Sequence, residues 1–166
     1  MNVQMEATNH YQQALKQGRK SHRDSVNHGK YPYLQVLDEV LSDSMVAGQA
    51  DLGLIEIPLD EIAGTKTAGR VNAFSSDFLP LLGEDSEFAY KWRQLCCAHL
   101  GDEGIHDPIR CFEYLGRFYV QEGNKRVSVL RHFGAPRIPG MVRRVMPRED
   151  TPRTRAYLEF LEFFKT

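Results

Sequence analysis

The sequence predicts an α/β fold, in α+β arrangement: a small mixed sheet flanked by helices, with extra helices at the N- and C-terminal ends. Two observations predict it. Runs rich in β-branched and aromatic residues, at 52–58, 108–115, 118–121 and 138–145, are separated by glycine- and proline-bearing turn signals, as short strands are. Among them lie stretches with apolar residues at helical spacing. The clearest is 119–134, which begins as a strand, turns at Gly123 and continues as a short helix.

The elements follow in order. Residues 1–26 read as a polar helix with a thin apolar face of Tyr11, Ala14 and Leu15, stopped at 27–29. Pro32 opens a second helix over 34–41, where Leu34, Leu37 and Leu41 stand at helical spacing. Neither piece carries enough apolar surface to fold alone. Residues 1–50 are therefore expected to form a helical arm, packed on the domain or on another subunit of a homo-oligomer. The strand at 52–58 ends at Asp60-Glu61, which start a helical turn. The loop Gly64-Thr-Lys-Thr-Ala-Gly-Arg70 follows. A short helix over 74–82 precedes a longer one over 86–100, with Phe88, Trp92, Leu95 and Cys96 on one face and Trp92 as a core anchor.

Strands 108–115 and 118–121 form a hairpin through Gly116-Arg117. In the helix after Gly123, Asn124 is expected to cap and Val127, Leu130 and Phe133 to face inward, with Gly134 as the stop. A strand at 138–145 closes the domain. Thr151-Pro152 then marks a helix start, with Thr as cap and Pro in the first turn. That last helix carries Tyr157, Leu158, Phe160, Leu161, Phe163 and Phe164, too apolar for exposure all round. It is expected to dock on the core, to lead into a longer protein, or both. The division expected is an arm over 1–50, a domain over 51–147 and a terminal helix over 148–166.

Composition sets limits. With 42% hydrophobic and 26% charged residues the chain can build one core, and a net charge of −1 gives no global attraction to nucleic acid. No run of 18 apolar residues occurs, and residues 1–20 lack the apolar region of a secretory signal, which favours the cytoplasm. Cys96, Cys97 and Cys111 form no disulfide framework; Cys96 and Cys97 are adjacent in a helix, so at most one of them can face the core, and inert, buried thiols are the reading. The six histidines show no metal-ligand spacing, and Glu103, His106 and Asp107 read as a solvated turn, so no metal ligand is assigned.

The chemistry gathers at the Gly123 turn. Lys125 and Arg126 fall in a first helical turn, where the dipole already places positive charge, a poor arrangement for an empty helix and a good one for a helix facing an anion. The alternative is two solvated cations, one of them paired with Glu122. The 64–70 loop, with Thr65, Lys66, Thr67 and Arg70, can offer amides, hydroxyls and cations to the same anion; a mobile solvated loop is its alternative.

Five elements then stand in one order: Ile55-Glu-Ile-Pro-Leu-Asp-Glu-Ile62, Arg70, Gly104-Ile-His-Asp-Pro-Ile109, the Gly123-Asn-Lys-Arg126 turn, and Ile138-Pro-Gly-Met-Val-Arg143. Over about residues 54–147 that order resembles the ParB/sulfiredoxin superfamily, in the domain that stands at the N-terminus of ParB. The resemblance implies that Gly123, Asn124, Lys125, Arg126 and Arg70 bind nucleotide phosphates, of CTP or ATP with Mg2+; Thr65, Lys66 and Thr67 of the same loop would add to that set by their own chemistry. Sulfiredoxin places its catalytic cysteine directly after the glycine, where this chain has Asn124, so sulfinic-acid repair is not expected. The 19 residues after Pro147 are too few for the DNA-reading module of ParB. A third branch phosphorylates free serine with a carboxylate near the first strand; Asp60, Glu61 and Glu122 are the acids available, with Glu122 and Glu61 the catalytic candidates.

The expected function is thus an NTP-dependent switch or sensor. If it is an enzyme, it is an NTPase or small-molecule kinase. The alternative is a structural, protein-interaction or DNA-partition-associated module that keeps the fold without the ligand.

Overall fold

Residues 2–69, 71–148 and 152–163 are described by the structure, a computed structural model. Helix α1 (Val3–Asn27) opens at Asn2, whose side chain accepts a hydrogen bond from the Met5 amide at 2.8 Å. Ala7, Tyr11, Ala14 and Leu15 recur every third or fourth residue and are buried. Their stripe packs on α3 (Glu87–Leu100), which is capped by Ser86 and buries Phe88, Ala89, Trp92 and Cys96.

Between these helices the chain departs from three sequence-based expectations. The helix predicted over 34–41 is instead a two-residue strand, β1 (Gln35–Val36), and a single turn, α2 (Leu37–Val40). Tertiary pairing overrides the helical spacing of the leucines: β1 runs parallel to β3 (Ile62–Thr65), with Gln35 opposite Gly64 and Val36 opposite Thr65. Gly64 permits the approach, since a Cβ there would lie 2.1 Å from the Gln35 carbonyl oxygen. Secondly, Gly64 and Thr65 belong to β3 rather than to a loop. Thirdly, residues 74–82 form no helix. Phe74 bridges Pro80, and Phe78 has a φ of 68°, while Pro80 removes a helical donor and biases Leu79 away from helical backbone.

The remaining strands are β2 (Val46–Pro58), β4 (Ile109–Tyr114), β5 (Arg117–Glu122) and β6 (Arg137–Pro147). Both β2 and β6 are longer than the sequence predicts, because they pair antiparallel along their whole length. The sheet order is β1-β3-β5-β4-β6-β2. The β1/β3, β3/β5 and β4/β6 pairs are parallel, and the β4/β5 and β2/β6 pairs antiparallel. The architecture is therefore the mixed α/β sheet with flanking helices that the sequence predicts.

One main core lies between sheet and helices. Ile57, Ile62, Ile109, Val120, Ile138 and Val142 meet Phe88 and Trp92 of α3 and Val127 and Leu130 of α4 (Asn124–His132). Trp92 is fully buried, and its indole N–H donates to Ser128 Oγ at 2.9 Å, joining α3 to α4. A smaller cluster of Leu37, Phe112, Tyr119 and Val145 forms apart from it. Helix α5 (Pro152–Phe163) is tied to the sheet through Tyr157, whose hydroxyl donates to the buried carboxylate of Glu113. Glu113 also accepts from the Gly116 amide and from Arg144 Nε, each at 2.7 Å. The helix-cap expectation at Thr151, the apolar expectation at Phe164 and the loop arginine Arg70 fall outside the described residues. Among those described, no helix is long and apolar enough to cross a membrane.

Candidate functional site

Strand β5 delivers the chain to Gly123, and the backbone there decides where α4 starts. Gly123 has a φ of 116° and is itself the N-cap, so Asn124 is the first helical residue and not the cap that the sequence suggests. The left-handed backbone and the nearness of Ile109 explain the glycine: a Cβ would stand 2.5 Å from Ile109 Cγ2. Freed from capping, the Asn124 side chain turns to β3 and donates through Nδ2 to Thr65 Oγ1 at 3.3 Å. The buried Thr65 hydroxyl spends its own proton on the Val120 carbonyl at 3.0 Å, so it must accept from the asparagine. That leaves Asn124 Oδ1 facing the other way, buried and without a donor.

The first turn of α4 forms one wall of a cleft of about 530 Å³, lined by residues 123–126. Lys91, Gln94 and Leu95 of α3 form the other wall. Arg126 donates from Nη1 to the carbonyls of Asp107 at 2.8 Å and Pro108 at 3.0 Å, pinning the chain that enters β4. Both acceptors are neutral, and Arg126 has no carboxylate partner among the described residues. The Lys125 ammonium lies 5.6 Å from the centre of the Phe88 ring. Lys91 pairs with Glu87 at 3.0 Å, an exposed contact worth little. The first-turn amides have no intrahelical acceptor, and they add partial positive charge to these three cations. An anion is what this wall can hold.

The other sequence candidates are placed elsewhere. Thr65 supports the site through Asn124. Lys66 is engaged with Asp38 at 2.5 Å and lies over the Phe112 ring. Thr67 is exposed beyond β3. Glu122 is exposed next to Gly123 and pairs loosely with Arg110 at 3.8 Å. Glu61 is exposed at the end of the turn after β2. Neither acid lines the cleft. Sequence reasoning missed the α3 wall, although Lys91, Gln94 and Leu95 share one helical face by their spacing.

No cysteine lines the cleft; Cys96 and Cys111 are buried, while Cys97, next to Cys96 on α3, is only half-buried. Burial pushes Cys96 and Cys111 up to about 12, keeping them protonated. Magnesium finds no carboxylate on the cleft walls, so a metal would have to arrive on the phosphates of a ligand and keep its waters.

No protein-family model matches the chain, and no curated protein does. Among solved structures, the crystal structure of sulfiredoxin from Arabidopsis thaliana is similar at 24% identity, over 63% of this chain and 96% of that one. The TM-score is 0.37, and at that level the likeness carries no argument about the site.

Proposed function

We propose that this chain is a ParB/sulfiredoxin-like domain that binds the phosphates of a nucleoside triphosphate at the N-terminus of α4 and acts as a ligand-dependent switch or sensor. The observation that carries the reading is the cleft itself. Lys91, Lys125 and Arg126 line it together with the first turn of a helix, and the Arg126 charge is held in place by two carbonyls without being neutralised. A polyphosphate would supply the missing negative charge and accept from the first-turn amides. In that role Gly123 lets the ligand approach the backbone, Lys125 and Lys91 act as point charges, and Arg126 offers its remaining N–H groups as a fork. Bound Mg2+ would supply further charge neutralisation. No catalytic base is assigned, since Glu61 and Glu122 stand off the cleft.

The same Arg126 contacts also favour a second reading, in which the turn is a structural staple of an interaction module. Calorimetry and thermal shift with CTP, ATP, GTP and inorganic triphosphate, each with and without magnesium, separate the two. A ligand at 100 times its Kd should stabilise the protein by about 2.7 kcal/mol. Lys91→Ala, which takes no part in the Arg126 staple to Asp107 and Pro108, should weaken binding while leaving the unliganded Tm unchanged. Binding of none of these compounds gives the case to the interaction module.

A further inference from the structure

A second cleft, of about 460 Å³, opens beside the C-terminal half of α4, between the loop after α1 and the start of β5. It is separate from the phosphate cleft: Arg126 lines one and Arg131 the other, about 7.5 Å further along the helix at 1.5 Å per residue. Its charged lining is of both signs. Lys30, Arg117 and Arg131 contribute three positive charges, and Asp60 and Asp77 two negative ones.

These charges do not pair with one another. None of the three cations is within ion-pair distance of a carboxylate among the described residues. Asp77 accepts instead from the hydroxyls of Ser75 and Ser21, the latter at 3.1 Å. Arg131 is the half-buried member, and its geometry is fixed: Nη2 donates to the carbonyls of Leu59 at 2.7 Å and Ile62 at 3.0 Å. Its guanidinium lies over the Phe78 ring, and its Nε is buried with no acceptor at all. Burial works against its charge, and the fields of Asp60 and Asp77 work for it.

A simple anion in this cleft would meet the two aspartates, and a simple cation would meet three like charges. A small molecule carrying both signs satisfies both sets, and a net ligand charge of −1 balances the net +1 of the lining. We propose that this cleft binds an acidic amino acid, with its carboxylates toward Arg131 and Arg117 and its ammonium toward Asp60 and Asp77.

Calorimetry on the full chain tests this with L-glutamate and L-aspartate, against glutarate as the anion without the ammonium and 1,4-diaminobutane as the cation alone. One of the amino acids should bind at least about tenfold more tightly than either control. Arg117→Ala and Asp60→Asn alter exposed side chains and spare the Arg131 anchor. Each should weaken amino-acid binding by about tenfold or more, with the unliganded Tm unchanged and any nucleotide binding intact. Failure of both amino acids to bind at millimolar concentration overturns the proposal, as does glutarate binding as tightly as glutamate. Wild-type affinity in both variants would equally do so.

Discussion

Tyr157 of α5 donates its hydroxyl proton to Glu113 of β4, a carboxylate that is 3% exposed and already holds Arg144. A buried carboxylate survives only when its lone pairs are taken, and here an amide, a guanidinium and a phenol take them. Burial and the nearby carboxylate both push the Tyr157 hydroxyl up, so it stays a donor throughout the working range.

Tyr157→Phe should therefore loosen α5 without unfolding the sheet, at a cost of about 1.5–3 kcal/mol for a hydrogen bond to a charged acceptor. Faster amide exchange confined to α5, with β4 and β6 still protected, is the expected pattern. Glu113→Ala should cost more, about 3–5 kcal/mol, because Arg144 then stays half-buried and unpaired. Urea unfolding of the two variants checks the ranking.

His10 Nδ1 and His132 Nε2 share one hydrogen bond at 2.9 Å, joining α1 to the last turn of α4. One ring donates and the other accepts, so the bond needs at least one neutral imidazole. Burial, then the His10 charge, lowers His132 to about 4, against about 6.5 in an unfolded chain. The unfolded state thus takes up a proton first as pH falls. The His132 contribution is complete above about pH 6.5, declines below it and is gone near pH 4. The loss should be on the order of 2–3 kcal/mol. His132→Asn should flatten that part of the stability profile; an unchanged slope would place its origin elsewhere.

Ser128→Ala tests the junction of α3 and α4. It leaves the fully buried Trp92 indole N–H without its acceptor, at a cost of about 1–3 kcal/mol. Trp92→Phe costs core packing in either background, but with Ser128→Ala it also removes the orphaned donor, so its cost in urea should be smaller there than in the wild type, a coupling read by the double-mutant cycle.

Gly123→Ala should destabilise the domain more than an ordinary Gly→Ala change. The left-handed backbone strains any L side chain, and the new methyl would meet Ile109. A loss of about 1–3 kcal/mol in urea is expected, accompanied by loss of whatever binds at the α4 cleft.

The elements legible in the sequence are those whose signals are local. The 119–134 stretch announces its strand, glycine turn and helix because β-branched residues, a glycine and 3.6-residue spacing all occur within it. Strands β1 and β3 are not legible, since two and four residues carry no periodicity and owe their conformation to parallel partners far along the chain. The apolar run at 74–82 misleads for a related reason. Phe74 and Phe78 fill the core from an irregular backbone, so hydrophobic spacing reports burial there and not helix. At the α4 cleft the Gly123–Arg126 wall was legible from charge placed at a helix start. The α3 wall was not, because only packing around Trp92 brings Lys91 and Gln94 across from it.

The pairing of β2 with β6 has a consequence for how the chain is made. Residues 46–58 leave the ribosome well before residues 137–147, yet each is the other's antiparallel neighbour. At ordinary synthesis rates β2 waits for seconds with both hydrogen-bonding edges open, and as the outermost strand it keeps one open afterwards. It carries Asp51 and Glu56 and no lysine or arginine, so two nascent chains aligned through this strand present like charges to each other. That repulsion opposes self-pairing before β6 exists and, at the open edge of β2, after it has paired.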